Sequence, residues 1–200
     1  MLSALATLGH RLFIGLRSRW YIFYYSAVHG VQFGPGVRVY SRLLIYGPGR
    51  VVVGAGTRFT SRRATNELST TSPTAVLTIG EDCLLNGAII ACARSITIGN
   101  RCIIAEAYIR DTSSHGIEPE LRHVPGQAKI DPVVLSNNVW IGSHAHVLPG
   151  VTIGENTVVG VNSVATRSLP ANVFAAGAPA KAIHALPGCE ADGESLDPAN

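Results

Sequence analysis

Aliphatic residues recur every six positions through the last third of the chain. Leu135, Ile141, Val147, Ile153, Val159 and Ala165 hold one register without a slip. Four places after each stand Val139, Ala145, Val151, Thr157, Ser163 and Leu169, mostly small or β-branched. Gly142, Gly154 and Gly160 follow three of the lead residues. A period of six fits neither a helix stripe nor a heptad. It is the period of a β solenoid whose repeat is a short strand and a turn. The lead aliphatic and the small residue are then expected to point inward, with glycine bending the chain at corners.

The same period runs through the earlier chain in pieces. Phe33, Val39 and Ile45 are six apart, and Val53 and Phe59 resume after a slip of two. Residues 61–75 are polar and lose the period, which predicts an irregular coil or loop. Ile79, Leu85 and Ala91 restart it, and Ile98 and Ile104 follow after one insertion. Residues 111–131 break it altogether, as a long loop excursion would. Three repeats make one turn, so the chain predicts about six coils stacked to ~30 Å. Residues 171–186 leave the repeat and predict a last extended piece or a short helix. The boundaries read as an N-terminal segment 1–30, a solenoid domain 31–186 and a disordered tail 187–200.

The first segment carries Leu2, Leu5, Leu8, Leu12, Phe13, Leu16 and Trp20 at helical spacing, with Arg11, Arg17 and Arg19 among them. Two readings stand. A helix covers the first coil or a neighbouring subunit, because solenoid ends need a cap. Alternatively an amphipathic segment rests on an anionic membrane face.

Composition narrows the function. A formal charge of +3 and the lack of interleaved aromatic and basic residues argue against nucleic acid. Cys83, Cys92, Cys102 and Cys189 form no CxxC pair; Cys83 and Cys102 fall on inward positions. They read as core thiols of a reducing compartment rather than disulfides or zinc ligands. No apolar run is long enough for a membrane span. His10 and Arg11 interrupt what would be a signal-peptide core, so the expected location is cytoplasmic, at the inner membrane face if the second reading of the N-terminus holds.

Functional residues of a solenoid are expected where its regularity fails. His115 stands in DTSSHGIEPELR within the excursion. Histidine can exchange a proton near neutral pH, so it is a candidate general base.

Three segments carry a resemblance: His115 with Glu120-Leu121-Arg122; PVVLSNNVWIGSHAHVLPGVTIGENTVVGVNSVAT at 132–166; and LPANVFAAGAPAKAI at 169–183. Together they resemble the hexapeptide-repeat acyltransferases, in the branch of galactoside, maltose and polysaccharide O-acetyltransferases. The match is good over 79–183 and loose over 1–75. It implies an all-β fold, a left-handed parallel β-helix, with sites between the subunits of a homotrimer. This hand runs against the usual right-handed crossover. It implies transfer of an acetyl group from acetyl-CoA to a sugar or glycan hydroxyl, without a metal or a covalent acyl-enzyme.

The resemblance also assigns roles. His115 matches the catalytic base, and the backbone N–H of Ser143 matches the oxyanion donor. Asn86 lies near an acceptor-binding position; its other reading is a polar residue on an outer corner. Asp111 is expected to orient the His115 loop or ring at the acceptor side. Glu120 and Arg122 either shape the acceptor pocket or pair with each other. Trp140 either lines the site beside Ser143 or packs at a corner. Val161 matches a position whose backbone meets the pantetheine arm. Thr166 with Arg167 corresponds to a Thr-Lys pair, and Lys181 to an arginine near the adenosine end; both keep the charge and change the geometry.

Three rivals remain. A zinc γ-carbonic anhydrase shares the fold and needs three converging histidines, for which His144, His146 and either His115 or His123 are candidates. A non-catalytic scaffold would use the flat faces. An N-acetyltransferase would take an amino sugar or nucleotide sugar.

Overall fold

The computed structural model describes residues 2–188, with side chains from Phe13 onward. The helix α1 (Leu2–His29) is followed by short strands wound into a three-sided column. The first face stacks Gln32–Phe33, Arg50–Val53, Val76–Ile79, Ser95–Ile98, Val133–Leu135 and Thr152–Ile153. The second stacks Arg38–Val39, Arg58–Thr60, Leu84–Asn86, Ile103–Ala105, Trp140–Ile141, Val158–Val159 and Val173–Gly177. The third stacks Leu43–Tyr46, Asn66–Thr70, Ile89–Cys92, Tyr108–Arg110, His146–Val147 and Val164–Ala165. Pairing within each of these stacks is parallel, and Ala180–Ala185 closes the second face antiparallel to Val173–Gly177.

The six-residue period has its physical basis in the interior of the column. Lead residues Leu135, Ile141, Val147, Ile153, Val159 and Ala165 are all buried. So are Val139, Ala145, Val151, Thr157, Ser163 and Leu169. Each coil buries this row only against the coils above and below, which makes the stack cooperative along one axis. The corners demand tight backbone approach. A Cβ on Gly154 would lie 2.3 Å from Ala171 N, and one on Gly54 would lie 2.4 Å from Gly80 C. Cys83, Cys92 and Cys102 are free and buried, as inward thiols. Cys83 Sγ lies 3.1 Å from Gly99 O and Cys102 Sγ 3.1 Å from Ser136 O. Cys189 lies outside the described residues, as does most of the tail.

One element differs from the sequence reading. Residues 61–75 are not wholly irregular, because Asn66–Thr70 is a strand of the third face. Its inward positions include the polar Asn66 and Thr70, which hid the period. Asn66 is fully buried and satisfied. Its amide nitrogen donates to Ser41 Oγ and Thr60 O, and its oxygen accepts from Gly87 N and Ala88 N. After residue 170 the extended option holds, as a hairpin of Val173–Gly177 and Ala180–Ala185 around a cis Ala178–Pro179 peptide.

Asp111 is the second correction. The sequence reading puts it near the acceptor, but its carboxylate is fully buried beneath the loop. It accepts from Ala93 N at 2.6 Å, Arg94 N at 2.7 Å and Ser95 N at 2.8 Å. Burial, and next the Asp111 charge, push the Cys92 thiol up to about 12. Asp111 therefore anchors the loop base to the coil below. Its own carbonyl accepts from Asp131 N at 2.9 Å, joining the two ends of the excursion. Asp111→Ala would strip three backbone amides of their acceptor. We expect a stability loss of about 3–5 kcal/mol, read from urea unfolding.

Helix α1 lies across the lower end of the column, touching the first strand of each face. Its inner side buries Ile14, Ser18 and Tyr25. Ser18 Oγ accepts from Val39 N at 2.9 Å, and Tyr25 Oη donates to Leu43 O at 2.9 Å. This is the capping arrangement among the two expected for the N-terminus. Burial is the main cause that raises the Tyr25 pKa.

Candidate active site

The predicted residues fall on two corners of the column. The corner between the second and third faces carries Asn86 and, in higher coils, Ser143 and Val161. Asn86 pairs with Ala105, Ile104 with Ile141 and Ile141 with Val159, which sets Ser143 level with Val161 and one residue past the row of Asn86. A ladder of corner hydrogen bonds joins the coils. Glu106 N donates to Asn86 O at 2.7 Å, His144 N to Glu106 O at 3.1 Å and Asn162 N to Ser143 O at 3.0 Å. Lys181 tops the column. It is the strand partner of Ala176, which lies against Gly160.

This corner is one residue longer in the upper coils. Ile141 and Val159 are followed by their next inward residues, Ala145 and Ser163, one step later than in the coils of Leu85–Ala88 and Ile104–Ala107. The extra residue slips the backbone out of the inter-coil ladder. Gly142 N donates to Val159 O at 2.8 Å and His144 N to Glu106 O, but among the described residues the N–H of Ser143 between them has no acceptor. A backbone N–H left free at a half-buried corner can receive a developing oxyanion. The positive φ of His144, +59°, completes the turn.

The corner between the third and first faces carries the other group. The excursion leaves it after Tyr108–Arg110, and Thr166 and Arg167 follow Val164–Ala165 on it, both exposed. His115 is exposed near the loop tip. Its Nδ1 lies 3.0 Å from the backbone carbonyl of Arg122. A carbonyl only accepts, so Nδ1 carries the hydrogen and the outer Nε2 of the neutral ring is left as a proton acceptor. Ser113 straps the loop: its Oγ donates to His115 O at 2.7 Å and accepts from Lys129 N at 2.9 Å. Glu120 sits exposed in the single 3-10 turn Pro119–Leu121. The Arg122 carbonyl therefore has a positioning part that the identity of its side chain does not announce.

Other residues take separate places. Trp140, half-exposed on the second face, opens onto a groove with Arg101, Ile103, Asn138, Asn156, Leu186 and Pro187 rather than onto the Ser143 corner. His144 Nε2 is 3.6 Å from Glu106 Oε2, whereas His146 stacks on Tyr108 at 4.9 Å, so the two engage different neighbours. Among the described residues of one chain, no three His, Cys, Asp or Glu side chains gather to hold a metal. Sequence reasoning missed the surroundings of Asn86. It lines a pocket of about 620 Å³ with Ile14, Tyr40, Ser61, Arg62, Arg63 and Glu106. The Arg-Arg pair in the aperiodic stretch after Phe59 was the available clue.

Asn86 and Ser143 thus stand at one edge of the third face, and His115 and Arg167 at the other. The structure brings the members of each group together and keeps the two groups apart within one chain.

Comparison with known proteins bears on this arrangement. Residues 132–167 match the family model described as bacterial transferase hexapeptide (six repeats). The galactoside O-acetyltransferase of Escherichia coli K12 is 41% identical over 92 residues, 46% of this chain and 45% of that protein. A putative lipopolysaccharide biosynthesis O-acetyl transferase of the same organism, WbbJ, is 38% identical over 106 residues, 47% of this chain and 52% of that protein. The chain spans about half the length of the curated relatives it matches. Among solved structures, a hexapeptide-repeat acetyltransferase of Vibrio cholerae superposes with a TM-score of 0.55 at 23% identity, over 78% of this chain and 73% of that one. A point mutant of the N-acyltransferase AntD of Bacillus cereus superposes with a TM-score of 0.59 at 24% identity, over 78% and 83%. Residues 132–167 carry the bacterial transferase hexapeptide repeat, and the column is a left-handed parallel β-helix of the kind found in the hexapeptide-repeat acetyltransferases.

Proposed function

We propose that this chain is an acyltransferase that moves the acetyl group of acetyl-CoA to a sugar hydroxyl, in a site completed by two protomers of a homotrimer. The observation that carries the reading is the pairing of a proton-accepting imidazole with a free backbone N–H on opposite edges of one face. A heterologous contact that sets the His115 corner of one protomer against the Ser143 corner of the next unites them, and three copies close the ring.

His115 Nε2 takes the proton of the acceptor hydroxyl as its oxygen bonds to the thioester carbon. Charge moves to the former carbonyl oxygen, which the Ser143 N–H stabilises by ~3 kcal/mol. Collapse breaks the carbon–sulfur bond, and the imidazolium returns its proton to the leaving thiolate. The products are an acetyl ester and free CoA, and no cysteine is consumed. The pocket at Asn86 supplies the acceptor side, with amide and carboxylate groups for sugar hydroxyls and Tyr40 for a ring face. Arg62 and Arg63 in its wall favour an acceptor with an anionic carrier, as in surface-glycan assembly.

Acetyl-CoA, a co-substrate, fits the rest. Val161 is exposed above Ser143, where the pantetheine arm would pass, and Lys181 tops that column. Arg167, with Thr166, stands on the other corner and would reach the phosphates from the neighbouring protomer. The test is a panel of sugars, amino sugars and sugar phosphates with labelled acetyl-CoA. Ester formation on a sugar is expected; acetylation of amines alone contradicts the hydroxyl assignment. Arg167→Ala and Lys181→Ala should each raise the KM for acetyl-CoA about tenfold with kcat nearly kept, in steady-state kinetics.

A further inference from the structure

The inward side of α1 explains only half of its apolar residues. Phe13 is 61% exposed, Leu16 69%, Trp20 58%, Phe23 73% and Val28 61%. At 3.6 residues per turn these project from one continuous side of the helix, turned away from the side that buries Ile14, Ser18 and Tyr25. Trp20 stacks on Tyr24 at 5.3 Å, so the outer side is a preformed aromatic surface. Arg17, its guanidinium over the Tyr21 ring, and the exposed Arg19 flank it.

Charge identifies what this surface meets. Residues 1–66 contain nine arginines and no aspartate or glutamate; the first acidic residue of the chain is Glu67. Arg38, Arg42, Arg50, Arg58, Arg62 and Arg63 are all exposed; in the two lowest coils they lie on the first and second faces and at the corner leading to the third. None forms an ion pair among the described residues. Because α1 crosses the lower end of the column, the aromatic side and the arginine belt share one end of the molecule. Trp, Tyr and Phe beside arginine are the residue types that settle at a lipid–water boundary, and unpaired cations add attraction to acidic headgroups. No helix among the described residues is long and apolar enough to cross a membrane, so α1 would lie in the interface plane.

We propose that the lower end of the column docks on an anionic lipid surface, with the outer side of α1 in the headgroup layer and the arginine belt above it. The column axis then stands away from the membrane. The Asn86 pocket, walled on one side by Ile14 of α1, opens close to the lipid. The docking stands independently of the transferase reading.

The full chain is sedimented with vesicles of phosphatidylcholine alone, and with vesicles in which phosphatidylglycerol replaces part of it. Binding is expected only to the anionic vesicles, with a blue shift of Trp20 emission, and should be lost in salt near 1 M, where screening acts within about 3 Å. The double variant Trp20→Glu and Phe23→Glu changes exposed side chains only. It should keep the wild-type melting temperature and oligomeric size while vesicle affinity drops about tenfold or more. Absence of wild-type binding to anionic vesicles overturns the proposal, as does equal binding to neutral ones. If instead the double variant changes the oligomeric size, the surface belongs to a second copy of this chain and the proposal fails.

Discussion

His115→Ala is expected to lower turnover by about 10²–10⁴-fold, the contribution of a positioned general base. The KM for acetyl-CoA should change little, because the cations proposed to hold its phosphates, Arg167 and Lys181, are left in place. Folding should also be unaffected: the ring is exposed, and its single hydrogen bond is to the Arg122 carbonyl. That bond makes a second point measurable. His115→Gln can still donate to the carbonyl from its amide but offers no basic nitrogen, so it should be as inactive as the alanine variant. Mass spectrometry of the variant held with acetyl-CoA should find no acetylated protein, as the proposed direct transfer requires. Near wild-type turnover in His115→Ala would remove the imidazole from the reaction.

How far the molecule was legible in its sequence depends on what each residue does with its side chain. Ile141, Val147, Ile153 and their partners reveal the column because an inward position tolerates only an apolar or small group, and that demand repeats every six residues. Asn66 broke the pattern because four hydrogen bonds make a buried amide as acceptable as an aliphatic side chain there. Asp111 was read both as an acceptor-side group and as a holder of the His115 loop, because sequence cannot show that three amides of the coil below converge on it and leave it only the second part. The parts proposed for Ser143 and Arg122 rest on backbone atoms, which every residue possesses. The lengthened corner at Ser143 was present in the spacing, but its meaning depends on which hydrogen bonds the neighbouring coil leaves unmade. Which candidate residues share a corner was hidden for a different reason: slips after Ile45 and Ala91 and the excursion at 111–131 obscure which face each strand joins.

Ser143→Pro isolates the other half of the chemistry. It removes one N–H that has no partner among the described residues, and φ at Ser143 is not in the left-handed region. Turnover should drop about 10²–10³-fold, the cost of losing one oxyanion donor, while Ser143→Ala stays near wild type because its N–H remains. A melting temperature unchanged in Ser143→Pro separates this from unfolding.

The two damaged chains together address the central claim, that each site joins the His115 corner of one protomer to the Ser143 corner of another. His115→Ala and Ser143→Pro chains, each nearly inactive alone, are coexpressed in equal amounts and assayed as mixed oligomers. With sites shared between neighbours, one interface in four pairs an intact histidine with an intact N–H, so about a quarter of the wild-type rate should return. A mixture no more active than its two components would show that both groups act within one chain, and would contradict the account.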